Sequence, residues 1–340
     1  MRRETTRFRK YFDIENSYRK KFLDILAVEK LDEGEFVLQE KAHGANLSFW
    51  YDGKDLKSAK RSGFIQDNFY DYMPVEDKNR ERVKKLYAIL KKEGCDFSEL
   101  AVYGELVGGT YPHNDVEKDT SATRIQKGIF YTPHNDFYAI DVAIDGQLLD
   151  VDKFNQVMEM TGFLYAKTIF RGTFEECLKY SNSFPSQISA WLGLPELEDN
   201  ICEGVVIKPA IPKFLSDKTR VILKNKNEKW AEKAKARDSP KKPKMTLYEK
   251  GEELFNEMES LITENRLRNV LSKNGPIGQK EFGKLIQLFS KDILDDFFKD
   301  YIEEYNGLAK KERKQLTRKL SQQCAELIRL NFMNIVDGEF

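Results

Sequence analysis

The sequence predicts an α+β fold in two parts: a strand-rich region with antiparallel sheets and flanking helices, then an all-helical C-terminal region. Three observations predict it. Short runs of strand formers, each bounded by glycine or Asp-Gly turns, recur up to about residue 226. A lysine- and proline-rich stretch, AEKAKARDSPKKPK over 231–244, then breaks the pattern. Beyond it, apolar residues return at the 3.6-residue period of helices. The boundaries that follow are 1–232 for the first part, 233–245 for a basic linker and 246–340 for the helical part.

Each element has its own signal. Residues 8–27 (FRKYFDIENSYRKKFLDILA) read as a loop followed by a helix with Phe22, Leu23 and Leu26 on its apolar face. Residues 34–39 (GEFVLQ) and 47–51 (LSFWY) are strands on either side of EKAHGANLSF, 40–49. A turn at Asp52-Gly53 leads into 56–60 (LKSAK), the pattern of a hairpin. A helix spans 79–93, with Val83, Leu86, Ile89 and Leu90 inward and Gly94 stopping it. Residues 100–103 form a strand running into Gly104 and Glu105. The polar stretch 109–134 reads as a surface insertion. Strand 137–144 (FYAIDVAI) carries an acid, Asp141, in a buried run, and a buried acid requires a partner. Helices at 151–160 and 174–180 precede strands at 201–209 (ICEGVVIKP) and 221–223. In the last part Leu254, Met258, Leu261 and Ile262, then Phe282, Leu285, Ile286 and Phe289, then Ile293, Phe297 and Tyr301, then Leu316, Leu320, Cys324, Leu327 and Ile328 mark core stripes.

Composition narrows the function classes. The chain has 340 residues, 56 basic and 56 acidic, so any contact with nucleic acid must come from local patches. No apolar run approaches the ~18 residues of a membrane span. Cys95, Cys177, Cys202 and Cys324 are scattered, which argues against a zinc site or a disulfide framework and fits a reducing compartment. The expected location is intracellular and cytoplasmic, with nucleus, mitochondrion and virus-infected cell left open, and the expected state is a monomer.

The charges borne by the strands carry the chemistry. Lys41 sits at a strand junction with Gly44 close by, so rigid backbone holds it. Its amine is a nucleophile towards carbonyl or phosphorus only when neutral, a form that burial or cationic neighbours favour. A solvated strand-edge lysine is the plainer reading of the same residue. Glu105 follows a strand and a glycine, where an acid can meet a sugar hydroxyl or a metal, or merely close a turn. Lys224 and Lys226 fall on one strand face by the period of two. An anion between them would relieve their repulsion, and a lysine-guarded sheet edge explains them equally well.

The order of these groups is more specific than any one of them. Lys41-Ala-His-Gly, Arg61-Ser-Gly, Tyr103-Gly-Glu105, Phe137-Tyr-Ala-Ile-Asp141, Glu203-Gly-Val-Val-Ile-Lys208 and Lys224-Asn-Lys226 resemble the covalent nucleotidyltransferases, which comprise ATP-dependent DNA and RNA ligases and mRNA capping enzymes. EKAHGANLSF, AKRSG, VYGELVGG, EGVVIKP and ILKNKNEKWAEK narrow this to the RNA ligase 2 family, the branch of the bacteriophage enzyme and the kinetoplastid RNA-editing ligases. The opening FRKYFDIENSYRKKF and the later IGQKEFGKLIQLFSKDIL are similar to that family as well.

The resemblance implies a nucleotidyltransferase domain and an ATP-dependent joining of RNA 3′-hydroxyl and 5′-phosphate ends at nicked or bridged duplexes. Lys41 would become the AMP-lysine, with His43 serving later steps. Glu40 and Ala42 would contact the base through backbone. Asn46 would position a metal-bound water or the phosphate, and Arg61 the ribose or phosphate. Glu105 would meet the ribose hydroxyl. Glu203 would hold Mg2+ or Mn2+ through water, Lys208 would assist, and Lys224 and Lys226 would hold the α-phosphate. The family places an aromatic before the aspartate of FYAIDVAI. This chain has Ile140 there, with Tyr138 on the same face by alternation, so the adenine contact differs. A GTP-using capping enzyme would continue into an OB barrel of short strands. A silent RNA-binding relative would not need the full lysine set. The helical pattern and the intact lysines favour the ligase.

Overall fold

The computed structural model describes residues 7–231 and 249–340. The chain divides into two compact units, Met1–Lys229 and Trp230–Phe340. The basic linker expected at 233–245 lies outside the described residues.

The first unit opens with an extended stretch leading to β1 (Glu15–Asn16) and α1 (Lys20–Val28). β2 (Phe36–Glu40), β3 (Ala45–Tyr51), β4 (Leu56–Lys60) and β5 (Gly63–Phe64) follow. α2 (Met73–Lys92) begins earlier than the periodicity predicts. Pro74 occupies its first turn, where a missing N–H is no loss. Next come β6 (Leu100–Gly108), β7 (Asn135–Ile144), β8 (Gln147–Leu148) and α3 (Val151–Thr161). Asp150 caps α3 by accepting from the Lys153 N–H, and Gly162 ends it in the left-handed region at φ 73°. β9 (Leu164–Tyr165), β10 (Thr168–Gly172), α4 (Phe174–Lys179), α5 (Gln187–Trp191), β11 (Gly204–Pro209) and β12 (Leu223–Lys226) complete the unit.

These strands make two sheets. One has the order β1-β12-β11-β2-β10, and the other β5-β4-β3-β6-β7-β8 with β9 paired to β7. All neighbours are antiparallel except β1 with β12 and β9 with β7. β2 and β3 lie in different sheets, so residues 41–44 are a crossing from one sheet to the other. On one face of the first sheet Phe36 and Leu38 pack with Phe22, Leu26 and Phe174. In the second sheet Leu47, Phe49 and Val102 pack with Val83 and Leu86 of α2 and Phe154 of α3. All five β2 positions are buried, and Gln39 satisfies its amide by donating to the Ala166 carbonyl at 2.6 Å.

Two local features shape the space between the sheets. The β6–β7 ladder shifts register between Tyr103 and Gly104: Tyr103 faces Asp141 while Gly104 faces Ala139. Phe137, Ala139 and Val142 therefore pack into one core, and Asp141 is turned to the opposite face that strict alternation from Tyr138 and Ile140 denies it. The stretch 109–134, expected as a surface insertion, is instead tied in. Tyr111, Ile129 and Tyr131 are buried, Gln126 accepts from the Gly108 N–H at 3.1 Å, and Asn200 exchanges two 2.8 Å hydrogen bonds with Phe130. Buried aromatics spaced irregularly in a polar stretch give no periodic signal.

The second unit contains α6 (Glu249–Ser260), α7 (Glu264–Asn274), α8 (Phe282–Gly307) and α9 (Lys310–Val336). Among its described residues there is no strand. Leu254, Met258, Leu285, Phe289, Ile293, Phe297, Leu316, Leu320, Cys324 and Ile328 form one core, as the periodicity predicts. The buried Arg266 guanidinium is satisfied by Asp292 at 3.0 Å and Asp296 at 2.7 Å. No helix among the described residues is long and apolar enough to cross a membrane.

Gly104 tests the packing at the register shift. A Cβ there would lie 2.5 Å from both the Phe137 ring and the Tyr138 carbonyl oxygen. Gly104→Ala should destabilise the fold by about 1–3 kcal/mol through overpacking, read as a lower urea midpoint. An unchanged midpoint would show that the shift can absorb a methyl group.

Candidate active site

The site is built on the sheet crossing and the two strands beside β2. Lys41 follows β2 directly, and its N–H donates to the Gly204 carbonyl at 3.0 Å, fixing the crossing to the start of β11. Glu203 immediately precedes β11 and is fully buried. Its two oxygens take different lysines: Lys41 Nζ lies 2.7 Å from Oε2, and Lys226 Nζ lies 2.6 Å from Oε1. His43 Nδ1 stands 3.7 Å from Oε2. Burial alone would raise the Glu203 carboxyl, but the Lys226 and Lys41 charges and His43 override it and hold it well below the ordinary range.

The group nearest to the Lys41 amine is thus a carboxylate, where the sequence suggested mainly cations. A second contact runs to the Ala42 carbonyl at 3.3 Å. The Lys41 side chain keeps 18% of its surface exposed, so the amine can be reached from solvent. The His43 N–H donates to the Tyr131 hydroxyl at 2.9 Å, so the 109–134 stretch props the crossing.

The second sheet supplies the facing groups. Asn46 on β3 and Glu105 on β6 are register partners, with Asn46 Nδ2 donating to the Gly104 carbonyl at 3.4 Å. Burial pushes the Glu105 carboxyl up to about 7; Lys41 pulls it down, Glu203 pushes it further up, and Arg61 and a hydrogen bond from Asn46 oppose. Those same influences place Glu105 within electrostatic reach of Lys41, Glu203 and Arg61. Arg61, just past β4, pairs with Asp13 of the N-terminal stretch. Lys224 stands on β12 opposite Val206, two residues from Lys226 and on the same face.

Several sequence candidates are engaged elsewhere. The Glu40 side chain points to the far side of β2, as alternation from Lys41 requires. Its carboxylate accepts from the Ser186 hydroxyl at 2.6 Å and the Gln187 N–H at 2.7 Å, and burial pushes it up to about 7 against those bonds. Tyr138 is fully buried, and its hydroxyl donates to the Glu40 carbonyl at 3.3 Å. Lys208 is sealed in a second cluster, 2.8 Å from Asp141 Oδ1 and 3.1 Å from the Ile140 carbonyl. Asp141 Oδ2 also takes Arg220 at 2.7 Å and the Tyr11 hydroxyl at 2.5 Å. Burial would raise the Asp141 carboxyl, but Arg220 and Lys208 override it and hold it far below the ordinary range. Ile140 packs half-buried beside Tyr11 and Tyr103.

Sequence reasoning passed over Tyr11, Asp13, Tyr131 and Arg220, all of which touch these candidates. Arg220 was readable in principle, as a charged residue entering an apolar strand. The other three lie in irregular stretches without a pattern. Among the described residues no three His, Cys, Asp or Glu side chains cluster in a way that could hold a metal. Both Glu203 oxygens are paired with lysines, so an ion would meet this carboxylate through water and not by direct coordination.

Comparison with known proteins places most of the chain in known families. Residues 34–226 match the RNA ligase family, and residues 245–326 match the T4 RNA ligase 2 C-terminal family. The chain is 28% identical over 334 residues to the mitochondrial RNA-editing ligase 1 of Trypanosoma brucei brucei, covering 78% of this chain and 70% of that protein. It is 27% identical over 367 residues to the mitochondrial RNA-editing ligase 2 of the same organism, covering 92% and 88%. A structure of a Naegleria gruberi RNA ligase with PPi aligns with a TM-score of 0.41 at 13% identity, covering 66% of this chain and 57% of that one.

The Glu105 carboxyl gives a pH test. Its folded-state value near 7 exceeds the ordinary 4.5, so the folded chain holds a proton that the unfolded chain releases. Stability from this group is therefore complete below about 4.5, falls as pH rises, and is lost above about 7. Glu105→Gln should match the parent at pH 4.5 and exceed it at pH 8 by about 1–2 kcal/mol, a figure reduced because the side chain is only partly covered. Urea unfolding at the two pH values checks this. An identical difference at both would show that Glu105 does not hold the proton.

Proposed function

Because this chain belongs to the RNA ligase family, we propose that it is an ATP-dependent ligase joining 3′-hydroxyl and 5′-phosphate RNA ends, with Lys41 as nucleophile. The observation that carries the reading is the Lys41–Glu203–Lys226 chain, one acid between two amines at a sheet crossing. An α-phosphate has the charge and the acceptor oxygens to take over what Glu203 now gives the lysines.

Three steps use the same groups. The Lys41 nitrogen forms a bond to the α-phosphorus of ATP, the bond to pyrophosphate breaks and the ammonium proton leaves, giving lysyl-AMP. The 5′-phosphate of RNA then attacks that phosphorus and the P–N bond breaks, returning the amine. Last, a 3′-hydroxyl attacks the adenylated end, the phosphodiester forms and AMP departs. Lys226 and Lys224 hold the phosphate at each stage, and Asn46 and Arg61 orient it. Glu105 is suited to a ribose hydroxyl, and His43 to the later transfers. A divalent ion, Mg2+ or Mn2+, would supply positive charge to the triphosphate, and Glu203 would hold it through water. The substrate reading is a nicked or bridged RNA duplex.

The test is labelling with α-labelled ATP or GTP and magnesium on a denaturing gel. The parent and Lys57→Ala should be labelled from ATP and not from GTP. Lys41→Ala should lose the label by at least about a thousandfold, the scale of removing a covalent nucleophile. Label from GTP would point to a capping-type enzyme, and no label from either nucleotide to a silent relative. Sealing of a nicked RNA duplex above a nicked DNA duplex or a single strand supports the duplex substrate, and the reverse order sinks it.

Asp13 gives a second prediction. It occupies Arg61 and is itself largely exposed. Such a pair is worth about 0.2–1 kcal/mol. Asp13→Ala should therefore lower the ATP concentration for half-maximal labelling by about 1.5–5-fold. A rise would show that Asp13 orients Arg61 rather than competing for it.

A further inference from the structure

We propose that one face of α9 in the helical unit is a binding surface for the phosphodiester backbone of RNA, separate from the Lys41 site. An open cleft of about 770 Å³ lies between the end of α8 and this face. Lys310, Arg313, Lys314 and Arg318 line it. Their spacing of three and four residues puts them on one helix face. Lys310, Lys314 and Arg318 are exposed on this face, while Arg313 lies partly buried at its edge beside the core residues Leu316, Leu320 and Cys324. Tyr305 closes the floor, its hydroxyl 3.1 Å from Thr317 Oγ1, which in turn donates to the Arg313 carbonyl at 3.0 Å.

Charge separates this face from a solubilising helix surface. Residues 310–321 (KKERKQLTRKLS) contain Lys310, Lys311, Arg313, Lys314, Arg318 and Lys319 against the single acid Glu312, in a chain whose net charge is zero. Lys310, Lys314 and Arg318 succeed one another at i, i+4, where like charges repel. Four of the cations also fall in the first turns of α9, where the helix dipole disfavours positive charge. Among the described residues no carboxylate forms an ion pair with Lys310, Arg313, Lys314 or Arg318, and the Arg313 guanidinium reaches only the Asn306 side chain, at 3.4 Å. Both penalties are relieved by an anion, and nothing in the described unit supplies one. Lys310 to Arg318 spans about 12 Å of helix, comparable to the rise of roughly three to four nucleotides of one strand. A phosphodiester strand, with regularly spaced charges, fits that ladder. The choice of RNA as the polyanion rests on the ligase reading.

The experiment uses the full chain and a fluorescent nicked RNA duplex, titrated between 50 and 200 mM KCl. The variant K310A/R313A/K314A/R318A is compared with a control, K250A/K280A/K284A/K291A, that removes four exposed lysines elsewhere in the unit. The cleft variant should weaken binding at least tenfold at 150 mM KCl and flatten the log–log salt slope by about 3, close to 0.9 for each phosphate no longer neutralised. The control should change the slope by less than about 1. Equal effects of the two variants would overturn the proposal. So would loss of polyglutamate binding with RNA binding intact, which would assign the face to an acidic protein. If the fourfold variant does not fold, K310Q/K314Q and R313Q/R318Q should each flatten the slope by about 2, and no change in either overturns it. ATP labelling of Lys41, read in parallel, should be equal in all variants. Its absence from the parent would strike the ligase reading while RNA binding still decides the cleft.

Discussion

The structure of the site depends on a single buried carboxylate. Glu203 has no exposed surface, and a charge in that position is tolerable only when paired. Lys41 on the sheet crossing and Lys226 on β12 supply the pairing. The backbone follows the same route: Lys41 N–H binds the Gly204 carbonyl, and Asn227 N–H binds the Glu203 carbonyl at 3.2 Å. The crossing, β11 and the end of β12 are thus locked together around one acid. In the proposed reaction each lysine would trade a carboxylate oxygen for a phosphate oxygen.

A second buried acid gathers cations in the same way but is closed off from solvent. Asp141 also gathers two cations, Lys208 and Arg220, yet their side chains are only 3% and 2% exposed against 18% for Lys41. Burial lowers the Lys208 ammonium, which Asp141 opposes, and the whole cluster is closed by the Tyr11 hydroxyl. It joins β11 of one sheet to β7 of the other. Lys208 thus fixes the distance between the sheets, while Lys41 and Lys226 work in the space that this fixes. The two clusters have the same charge count and differ in access.

Much of this was legible in the residues. The short runs of strand formers between turns located β2, β3, β6, β7 and β11, and the helical period marked the second core almost residue by residue, because a repeating apolar stripe admits few other packings. Lys41, Glu203 and Lys226 converge as their order implied. The facing of individual side chains was less accessible. Alternation along 137–144 fails at Asp141, since the register shift is set by Gly104 on the neighbouring strand. That β2 and β3 join different sheets depends on burial of both faces, which erases the polar alternation that would have revealed it. The Asp13–Arg61 and Tyr131–His43 contacts link residues far apart in irregular chain, where no local pattern exists.

The opening stretch has a consequence of its own. Tyr11 seals the Asp141 cluster, Asp13 meets Arg61, and Glu15 and Asn16 add a parallel edge to β12, with Ser17 N–H bound to the Lys224 carbonyl at 3.0 Å. Residues 11–17 therefore act as a clasp running from one sheet to the other. Protease trimming past Asn16 would unfasten it, bare the Arg220 guanidinium and loosen the strand that carries Lys224 and Lys226, all without touching either lysine.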